Sequence, residues 1–215
     1  MANKSKVAVI GLGSIGSIVA ANLVKGKREV IIADRKIDKA NSLAQQLGNL
    51  AIVMEIDAAL QAADIIILAI WFSAIKEFMQ QHAKALQGKI IIDPSNPIGP
   101  DEKGSFKKLI PQNESAGEIN AAALPANTKI AKALGTLKAA SLDKAAFDEP
   151  RAVLFYATDD TDINHEIEQL IKDNGFEPLR VGDMGQSIRI EVFGDLHEMG
   201  GLGKTVTLAE GKGKV

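Results

Sequence analysis

The feature that most constrains the fold is a regular alternation of short apolar runs with helical periods over the first ninety or so residues. Residues 65–70 are apolar on both faces, which is typical of a strand in a parallel sheet covered by helices on both sides. Other runs predict strands at 7–10, 29–33, 50–54 and 89–92. Strict strand–helix alternation favours right-handed crossovers. We therefore predict an α/β fold of the Rossmann type, with a doubly wound, mainly parallel sheet.

Local sequence features in the first half of the chain predict two further helices and a loop. Asp57 is expected to cap a short third helix, and apolar spacing predicts a fourth helix over about residues 73–86. Residues 93–114 contain four prolines, at 94, 97, 100 and 111, and predict a long ordered loop.

The second half alternates less regularly. It predicts a helix near 116–123, strands near 129–134, 152–157 and 176–181, a helix between the last two strands, and weak helices at 188–199 and 205–209. We predict a nucleotide-binding domain over 1–140. A small C-terminal αβ portion over 141–215 would close the site, either as a separate unit or within one continuous domain.

A glycine-rich turn follows the first strand and opens the first helix, with the sequence Gly11-Leu12-Gly13-Ser14-Ile15-Gly16. Such a motif is weak evidence alone, but the strand–turn–helix setting is the one that dinucleotide binding requires. The first glycine permits a tight turn, the second lets the backbone approach a pyrophosphate, and the third allows close packing of helix on strand. The free N–H groups of the helix start then face the phosphates.

The end of the second strand addresses the choice between NAD and NADP. Asp34 lies where a carboxylate would accept hydroxyl groups of the adenine ribose, which favours NAD. Arg35, Lys36 and Lys39 follow at once, and a guanidinium can bind a 2′-phosphate by charge-assisted bonds. These residues alone leave both cofactors open.

The nicotinamide end should lie beyond the carboxyl ends of the fourth and fifth strands, since ligands of such sheets bind at the switch point. The fourth strand ends at Ala69, Ile70 and Trp71, and the fifth leads into Ser95, Asn96 and Pro97. Trp71 is predicted to line the nicotinamide ribose or ring. The Asn96 amide, between two prolines, offers a donor and an acceptor together.

Composition excludes several classes of function. A net charge of −2 without blocks of like charge gives no reason to expect nucleic acid or a membrane as partner. The chain has no cysteine, so disulfides and thiolate sites are excluded. No spacing indicates a metal site, and no apolar run reaches transmembrane length. We expect a cytoplasmic protein. The three histidines are not grouped in a pattern typical of an acid–base site. Their arrangement suits hydride exchange between the rings of two cofactors, because such exchange needs alignment of the rings more than an acid or a base.

Taken together, these motifs resemble the coenzyme F-420 (deazaflavin)-dependent NADP oxidoreductases and related dinucleotide-binding reductases. The resemblance covers about residues 7–179. It rests on the glycine turn, Asp34-Arg35 with Lys39, and the segments 68–71, 92–97, 115–118 and 130–137.

The resemblance implies NADP(H) as cofactor, a C-terminal portion that closes a pocket, and a homodimer. Arg35 and Lys39 match the family's residues around the 2′-phosphate. Asp34 stands where relatives carry serine or threonine, and Gly135 where they carry histidine or asparagine.

The function predicted from the sequence is therefore hydride transfer between NADP(H) and a small-molecule acceptor, either a deazaflavin, a flavin or a similar compound. The predicted acceptor pocket consists of Trp71, Ser95, Asn96, Ala133, Gly135 and Thr136. Two alternatives remain: a non-catalytic NADP(H)-binding redox sensor, and an imine reductase resembling pyrroline-carboxylate reductase.

Overall fold

A computed structural model describes residues 4–102 and 105–215. The first three residues of the predicted nucleotide-binding domain, and residues 103–104 of the predicted loop, lie outside the described residues. The described part is an α/β fold built on one eight-stranded, mainly parallel sheet with helices on both faces. The predicted fold class is confirmed.

The strands in chain order are β1 (Val7–Ile10), β2 (Val30–Ala33), β3 (Ala51–Val53), β4 (Ile65–Leu68), β5 (Ile90–Asp93), β6 (Ile98–Pro100), β7 (Phe106–Lys108), β8 (Lys129–Lys132), β9 (Val153–Ala157) and β10 (Glu177–Gly182). The large sheet has the order β10-β9-β8-β5-β4-β1-β2-β3, while β6 and β7 pair as a separate antiparallel hairpin. From β1 the chain adds β2 and β3 on one side and then crosses back to add β4 and β5 on the other. The switch point for ligand binding therefore lies at the carboxyl ends of β1 and β4.

The helices are α1 (Ser14–Lys25), α2 (Ile37–Leu47), α3 (Ile56–Ala62), α4 (Phe72–Gln81), α5 (Ala83–Leu86), α6 (Ala116–Ala121), α7 (Ala139–Lys144), α8 (Asn164–Asp173), α9 (Ser187–Ile190) and α10 (Leu208–Lys212). None of those in the described residues combines the length and the apolar character needed to cross a membrane.

Side chains that alternate along β1 fill two different cores. Val7 and Val9 belong to the cluster on one face of the sheet, and Ala8 and Ile10 to the cluster on the other. All four β1 residues are buried. This two-sided burial explains why the central strands read as continuous apolar runs.

The C-terminal strands extend the same sheet with a change of direction. β9 runs antiparallel to β8, and their single paired position joins Lys132 to Ala157, the last residue of each strand. β10 pairs with β9 in parallel and forms the edge of the sheet. The predicted boundary at residue 140 falls inside α7 and stays a prediction.

Two local helix predictions differ from the structure. Helix α3 begins one residue before Asp57 and has Glu55 at its N-cap. The Asp57 carboxylate instead lies 3.1 Å from Nδ1 of His82. The helix predicted over 73–86 is interrupted at His82, whose ring packs at 4.5 Å on Phe78. With a φ of −106° and a ψ of +19°, His82 departs from helical geometry and separates α4 from α5.

The predicted loop over residues 93–114 and the tail, which is the segment after β10, also differ from the prediction. Residues 93–114 include the hairpin β6–β7, which the prolines did not indicate. In the tail, helix α9 ends at Ile190 rather than near 199, and a coil rich in glycine follows. Helix α10 begins after Thr207, whose side chain forms a capping box with Glu210.

Candidate functional site

The carboxyl ends of five parallel strands bring the predicted site residues to one edge of the sheet. The glycine turn follows β1, Arg35 follows β2, Trp71 follows β4, Asn96 follows β5 and Thr136 follows β8. Residues far apart in the sequence thus share the edge at which α/β folds of this order bind ligands.

The glycine turn is closely packed on its inner side. Gly11 has a φ of +88°, and a Cβ there would lie 2.6 Å from Cγ2 of Ile70 and 2.7 Å from the carbonyl oxygen of Ala69. At Gly16 a Cβ would lie 1.9 Å from the carbonyl oxygen of Gly11. Two of the predicted cofactor residues, Ala69 and Ile70, therefore support the turn from below, and both glycines are required by the packing.

Gly13 differs from the other two glycines. A Cβ at this position would have no atom within 4 Å, and its φ of −65° suits any residue. It is the N-cap of α1 and provides no side-chain oxygen to the first helical turn, whose N–H groups have no partner within the helix. Exposed Gly13 and Ser14 therefore border an open, uncapped helix start that an anion can approach.

The Asp34 carboxylate fastens this turn to the end of β2. Its two oxygens accept hydrogen bonds from the N–H of Leu12 at 2.8 Å and of Lys36 at 3.0 Å. The Leu12 side chain is buried among the core residues. Asp34 therefore positions the turn and also reaches the edge where a ribose would lie.

Three cationic side chains follow the end of β2, next to the glycine turn. Arg35, Lys36 and Lys39 are all exposed, and none of their side chains is paired with a carboxylate among residues 4–102 and 105–215. Asp38, also exposed, is the acidic residue of the first turn of α2. The positive charge is thus free to bind an anionic ligand.

Trp71 lies at the end of β4 as the N-cap residue of α4. Its side chain is 63% exposed, unusually high for the largest apolar residue type. The described part of this chain therefore leaves most of the ring uncovered, at a position next to this edge.

The segment after β5 is fixed by the tail. The Asn96 amide donates to the carbonyl oxygen of Gly135 at 3.0 Å and accepts from the N–H of Val192 at 2.7 Å. Pro97, next to it, is buried. Both polar groups of the Asn96 side chain thus join the strand tips of β5 and β8 to the C-terminal coil.

The loop after β8 is covered rather than open. Ala133, Gly135 and Thr136 are buried, and a Cβ at Gly135 would lie 2.4 Å from the carbonyl oxygen of Pro94. The backbone leaves no room for a larger side chain at Gly135, which accounts physically for glycine at this position.

Two hydroxyl groups at this edge have no hydrogen-bond partner in the described structure. Oγ of Ser95 and Oγ1 of Thr136 are buried, and their residues are 7% and 2% exposed. Buried hydroxyls are seldom left unsatisfied, so each of these marks a position where a ligand or a water molecule would bind.

A buried charged cluster lies beneath the same strand tips, and sequence reasoning missed it. Nζ of Lys132 contacts Oδ2 of Asp93 at 2.9 Å and the carbonyl oxygen of Ser95, and it lies 3.9 Å from Oε1 of Glu191. Asn120 also donates to Asp93, at 2.8 Å. The only signal in the sequence was a charged residue at the end of two of the apolar strands, Asp93 in β5 and Lys132 in β8.

Glu191 connects the tail to α6. Its carboxylate accepts from the N–H groups of Ala116 at 3.0 Å and Gly117 at 2.8 Å. Burial raises the pKa of Glu191 above its ordinary value of 4.5, while Lys132 and these N–H donors act in the opposite direction.

His197 is a second tail residue at the site. Its Nε2 lies 3.1 Å from the carbonyl oxygen of Gly135, and its Nδ1 accepts from the N–H of Met199 at 2.8 Å. This arrangement assigns the proton to Nε2 of a neutral ring. Burial lowers the pKa of His197 from 6.5 to about 4, only partly opposed by the bond to Gly135.

Among the described residues, no group of three histidine or acidic side chains is arranged to hold a metal ion.

Residues 6–97 match the family model described as NADP oxidoreductase, coenzyme F420-dependent. This match confirms the family resemblance that the motifs predicted, and it covers the glycine turn, Arg35 and Asn96. The matched family and the two curated relatives described below are oxidoreductases, in agreement with the predicted class of NAD(P)-dependent oxidoreductase.

Two curated relatives match over different lengths. The rat metalloreductase STEAP3 is 25% identical over 191 residues, which is 87% of this chain and 36% of that protein. The glutamyl-tRNA reductase of Caldivirga maquilingensis is 40% identical over 101 residues, covering 45% of this chain and 24% of that protein. The chain thus spans only about a third or less of these relatives.

Solved structures match the fold more completely. The hypothetical protein SMa0349 from Sinorhizobium meliloti superposes with a TM-score of 0.80 at 27% identity, covering 94% of this chain and 95% of that one. A protein of Arthrobacter sp. FB24 described as an F420-dependent NADP reductase gives 0.73 at 21% identity over 86% and 87% of the two chains. A reductive aminase of Aspergillus terreus in complex with NADPH and ethyl levulinate gives 0.61 at 20% identity, covering 85% of this chain and 56% of that one.

The first prediction separates the roles of two glycines in the turn. Gly13→Glu should leave the free energy of unfolding within about 0.5 kcal/mol of the wild type, because nothing lies near the new Cβ and the position is exposed. Gly16→Val should lower it by about 2 kcal/mol or more, since its Cβ would collide with the Gly11 carbonyl. Urea unfolding measures both variants. A large loss of stability in Gly13→Glu would contradict the view that the fold does not need glycine there.

The second prediction concerns acid stability. His197 has a folded pKa of about 4, below the unfolded value of 6.5. Its contribution is therefore fully present above pH 6.5 and is lost as the pH falls toward 4, a loss of about 2 kcal/mol by pH 5. Urea unfolding at pH 7.5 and pH 5 should show a smaller acid-induced loss in His197→Gln than in the wild type. His165→Gln, an exposed histidine on α8, is the control; equal pH dependence in all three proteins would refute the assignment.

Proposed function

We propose that this chain is an NADP(H)-dependent oxidoreductase that transfers a hydride between the nicotinamide and a deazaflavin, a flavin or a similar planar acceptor. The observation that carries the proposal is the open, uncapped start of α1 at Gly13, beside three exposed cations. Together they provide a phosphate site and a positively charged neighbour at the switch point of the sheet.

The pyrophosphate would bind at the start of α1. The N–H groups of Ser14 and Ile15 lie in the first helical turn and have no acceptor within the helix. The N–H of Leu12 is already bonded to Asp34, so the donors left for a ligand are those beyond it. The absence of a side chain at Gly13 keeps that approach clear.

The choice of NADP rests on the end of β2. Arg35 and Lys39 are exposed and unpaired within the described residues, and a guanidinium can bind a phosphate through two parallel hydrogen bonds. Lys36 adds a third positive charge. Asp34 would repel a 2′-phosphate, but both of its oxygens accept backbone hydrogen bonds that partly offset its charge. The balance of charge therefore favours NADP over NAD.

The nicotinamide and the acceptor would meet over β4, β5 and β8. Trp71 offers an exposed aromatic face there, and the buried hydroxyls of Ser95 and Thr136 are available for polar groups of either ring. Asn96 and Gly135 are bonded to each other and shape this end of the site. When bound, the nicotinamide supplies or accepts a hydride at C4, and the chain aligns the two partners.

The histidines of the chain are poorly placed for acid–base catalysis. His197 is buried, neutral and bonded at both nitrogens, while His82 contacts Asp57 at the opposite end of α4. His165 is exposed on α8. This arrangement favours hydride exchange between rings over oxidation of an alcohol, which needs a general acid or base.

A non-catalytic NADP(H) sensor would share the nucleotide site. An acceptor screen separates the two functions, because an oxidoreductase consumes NADPH with a flavin, deazaflavin or quinone acceptor and a sensor consumes it with none. The imine-reductase alternative is less well supported, since β9, α8 and β10 form a strand–helix–strand unit where that class adds a helical domain.

The homodimer and the cytoplasmic location implied by the sequence remain part of this proposal. Phe106 and Leu109, both about half exposed on or beside the hairpin β6–β7, provide apolar surface that a second copy would cover. Sedimentation equilibrium would give the molecular mass in solution.

The third prediction tests the cofactor choice. Arg35→Ala should weaken NADPH binding about 10- to 100-fold, because a charge-assisted interaction with the 2′-phosphate is lost, and should change NADH binding about twofold or less. Lys84→Ala is the matched control, an exposed cation on α5, which precedes β5 and so lies toward the opposite edge of the sheet. Isothermal titration with both nucleotides measures the affinities. Equal losses for NADPH and NADH would overturn the role given to Arg35.

The fourth prediction tests the pyrophosphate site. Gly13→Glu should weaken both NADPH and NADH by about 100-fold or more, because a carboxylate would occupy the approach to the start of α1. Gly213→Glu, at the exposed C-cap of α10 where φ is −78° and the nearest atom to a Cβ lies 3.6 Å away, introduces the same charge as a control. Retained affinity in folded Gly13→Glu would refute binding at this turn.

A further inference from the structure

One residue of the C-terminal coil combines two unusual properties. Phe193 has a φ of +74°, in the left-handed region that disfavours bulky side chains, and its ring remains 47% exposed. Glycine would adopt this backbone without strain, and an exposed ring contributes little to the core. The protein thus maintains an aromatic side chain at a position where its fold favours none.

The other residues in this backbone region have local explanations. Phe147, with a φ of +69°, packs against Gly175 and lies beneath Nζ of Lys25 at 4.8 Å from its ring centre. Leu134 is fully buried in the core. The remaining two among the described non-glycine residues, Lys27 and Asn127, are polar. Phe193 therefore stands apart as a strained and exposed apolar side chain.

The backbone around Phe193 is held firmly. The N–H of Val192 donates to Asn96 at 2.7 Å, and the N–H of Gly194 donates to the carbonyl oxygen of Glu191 at 2.8 Å. Glu191 is in turn bonded to the start of α6. A Cβ at Gly200 would lie 1.9 Å from the carbonyl oxygen of Gly194, so the coil also packs on itself. The conformation of Phe193 is therefore imposed by a closed network and not by a loose tail.

The network also places Phe193 at the functional edge. Its neighbour Val192 is bonded to Asn96, three residues after the end of β5, and Trp71 is three residues after the end of β4. Strands β4 and β5 are adjacent and parallel. One exposed aromatic residue, Trp71, thus follows β4, and the other, Phe193, is the neighbour of a residue bonded to the segment after β5, at the edge where the acceptor would meet the nicotinamide.

We propose that Phe193 and Trp71 form an aromatic site that binds the planar ring system of the hydride acceptor. This inference rests on the proposed function and assigns the C-terminal coil a part in it. Aromatic side chains bind flat conjugated rings by offset or edge-to-face contacts, and a fixed ring loses little freedom on binding. A strained residue is retained where a ligand, rather than the fold, requires the side chain.

The experiment measures ring binding without turnover. Oxidised FMN and 5-deazariboflavin are titrated with the purified protein in the absence of NADPH, and ring fluorescence is followed. Phe193→Gly should weaken binding of at least one ring about tenfold, and its melting temperature should stay within about 2 °C of the wild type, since glycine accepts the left-handed backbone. Phe193→Leu keeps an apolar side chain and should give a smaller loss. Phe106→Leu, at an equally exposed aromatic residue on β7 that is assigned to the proposed subunit contact and not to the acceptor site, should leave the affinity for both rings unchanged.

Each result bears on a different part of the account. Unchanged ring affinity in both Phe193 variants would overturn the inference while leaving NADPH binding intact, which is titrated in parallel. If the wild type binds neither FMN nor 5-deazariboflavin, the proposed aromatic site is refuted, whatever the result with NADPH. Failure of NADPH to bind would instead contradict the proposed function itself. A lower molecular mass on gel filtration with unchanged ring affinity would identify Phe193 as a contact between subunits and would likewise overturn the inference.

Discussion

The contact between the glycine turn and the start of α1 determines where the functional edge lies. Gly16 approaches the carbonyl oxygen of Gly11 so closely that a Cβ would lie 1.9 Å from it, and Gly11 itself adopts a φ of +88° against Ala69. Because no side chain separates these segments, α1 begins directly at the tip of β1. Its free N–H groups are then presented at the switch point, and Asp34 fixes the turn to β2 through Leu12.

The opposite end of the edge depends on the C-terminal coil. Glu191 is bonded to α6, Asn96 to Val192, and His197 to Gly135, so the coil is joined to the tips of β5 and β8 at several points. These contacts bury the loop after β8 and leave Phe193 exposed. The coil therefore completes the acceptor side of the site, while the glycine turn and the cations after β2 form the nucleotide side.

Much of the nucleotide side could be predicted from the sequence, because its signals are local. Apolar runs, the glycine spacing and the cations after β2 depend on neighbouring residues and on the order of the strands. The acceptor side could not be predicted in the same way. Glu191, Val192 and His197 bind residues 62 to 96 positions away, and Phe193 is distinguished by backbone strain. Neither kind of feature leaves a periodic pattern in the sequence. The break at His82 coincides with a contact to Asp57 on α3, which the apolar spacing around residue 82 does not indicate.

The most direct test of the central claim is a crystal structure of the protein with NADP⁺. We expect the pyrophosphate at the start of α1, against the N–H groups of Ser14 and Ile15, the 2′-phosphate beside Arg35 and Lys39, and the nicotinamide near Trp71. A cofactor whose pyrophosphate lay away from the glycine turn, or whose 2′-phosphate made no contact with these cations, would contradict this claim.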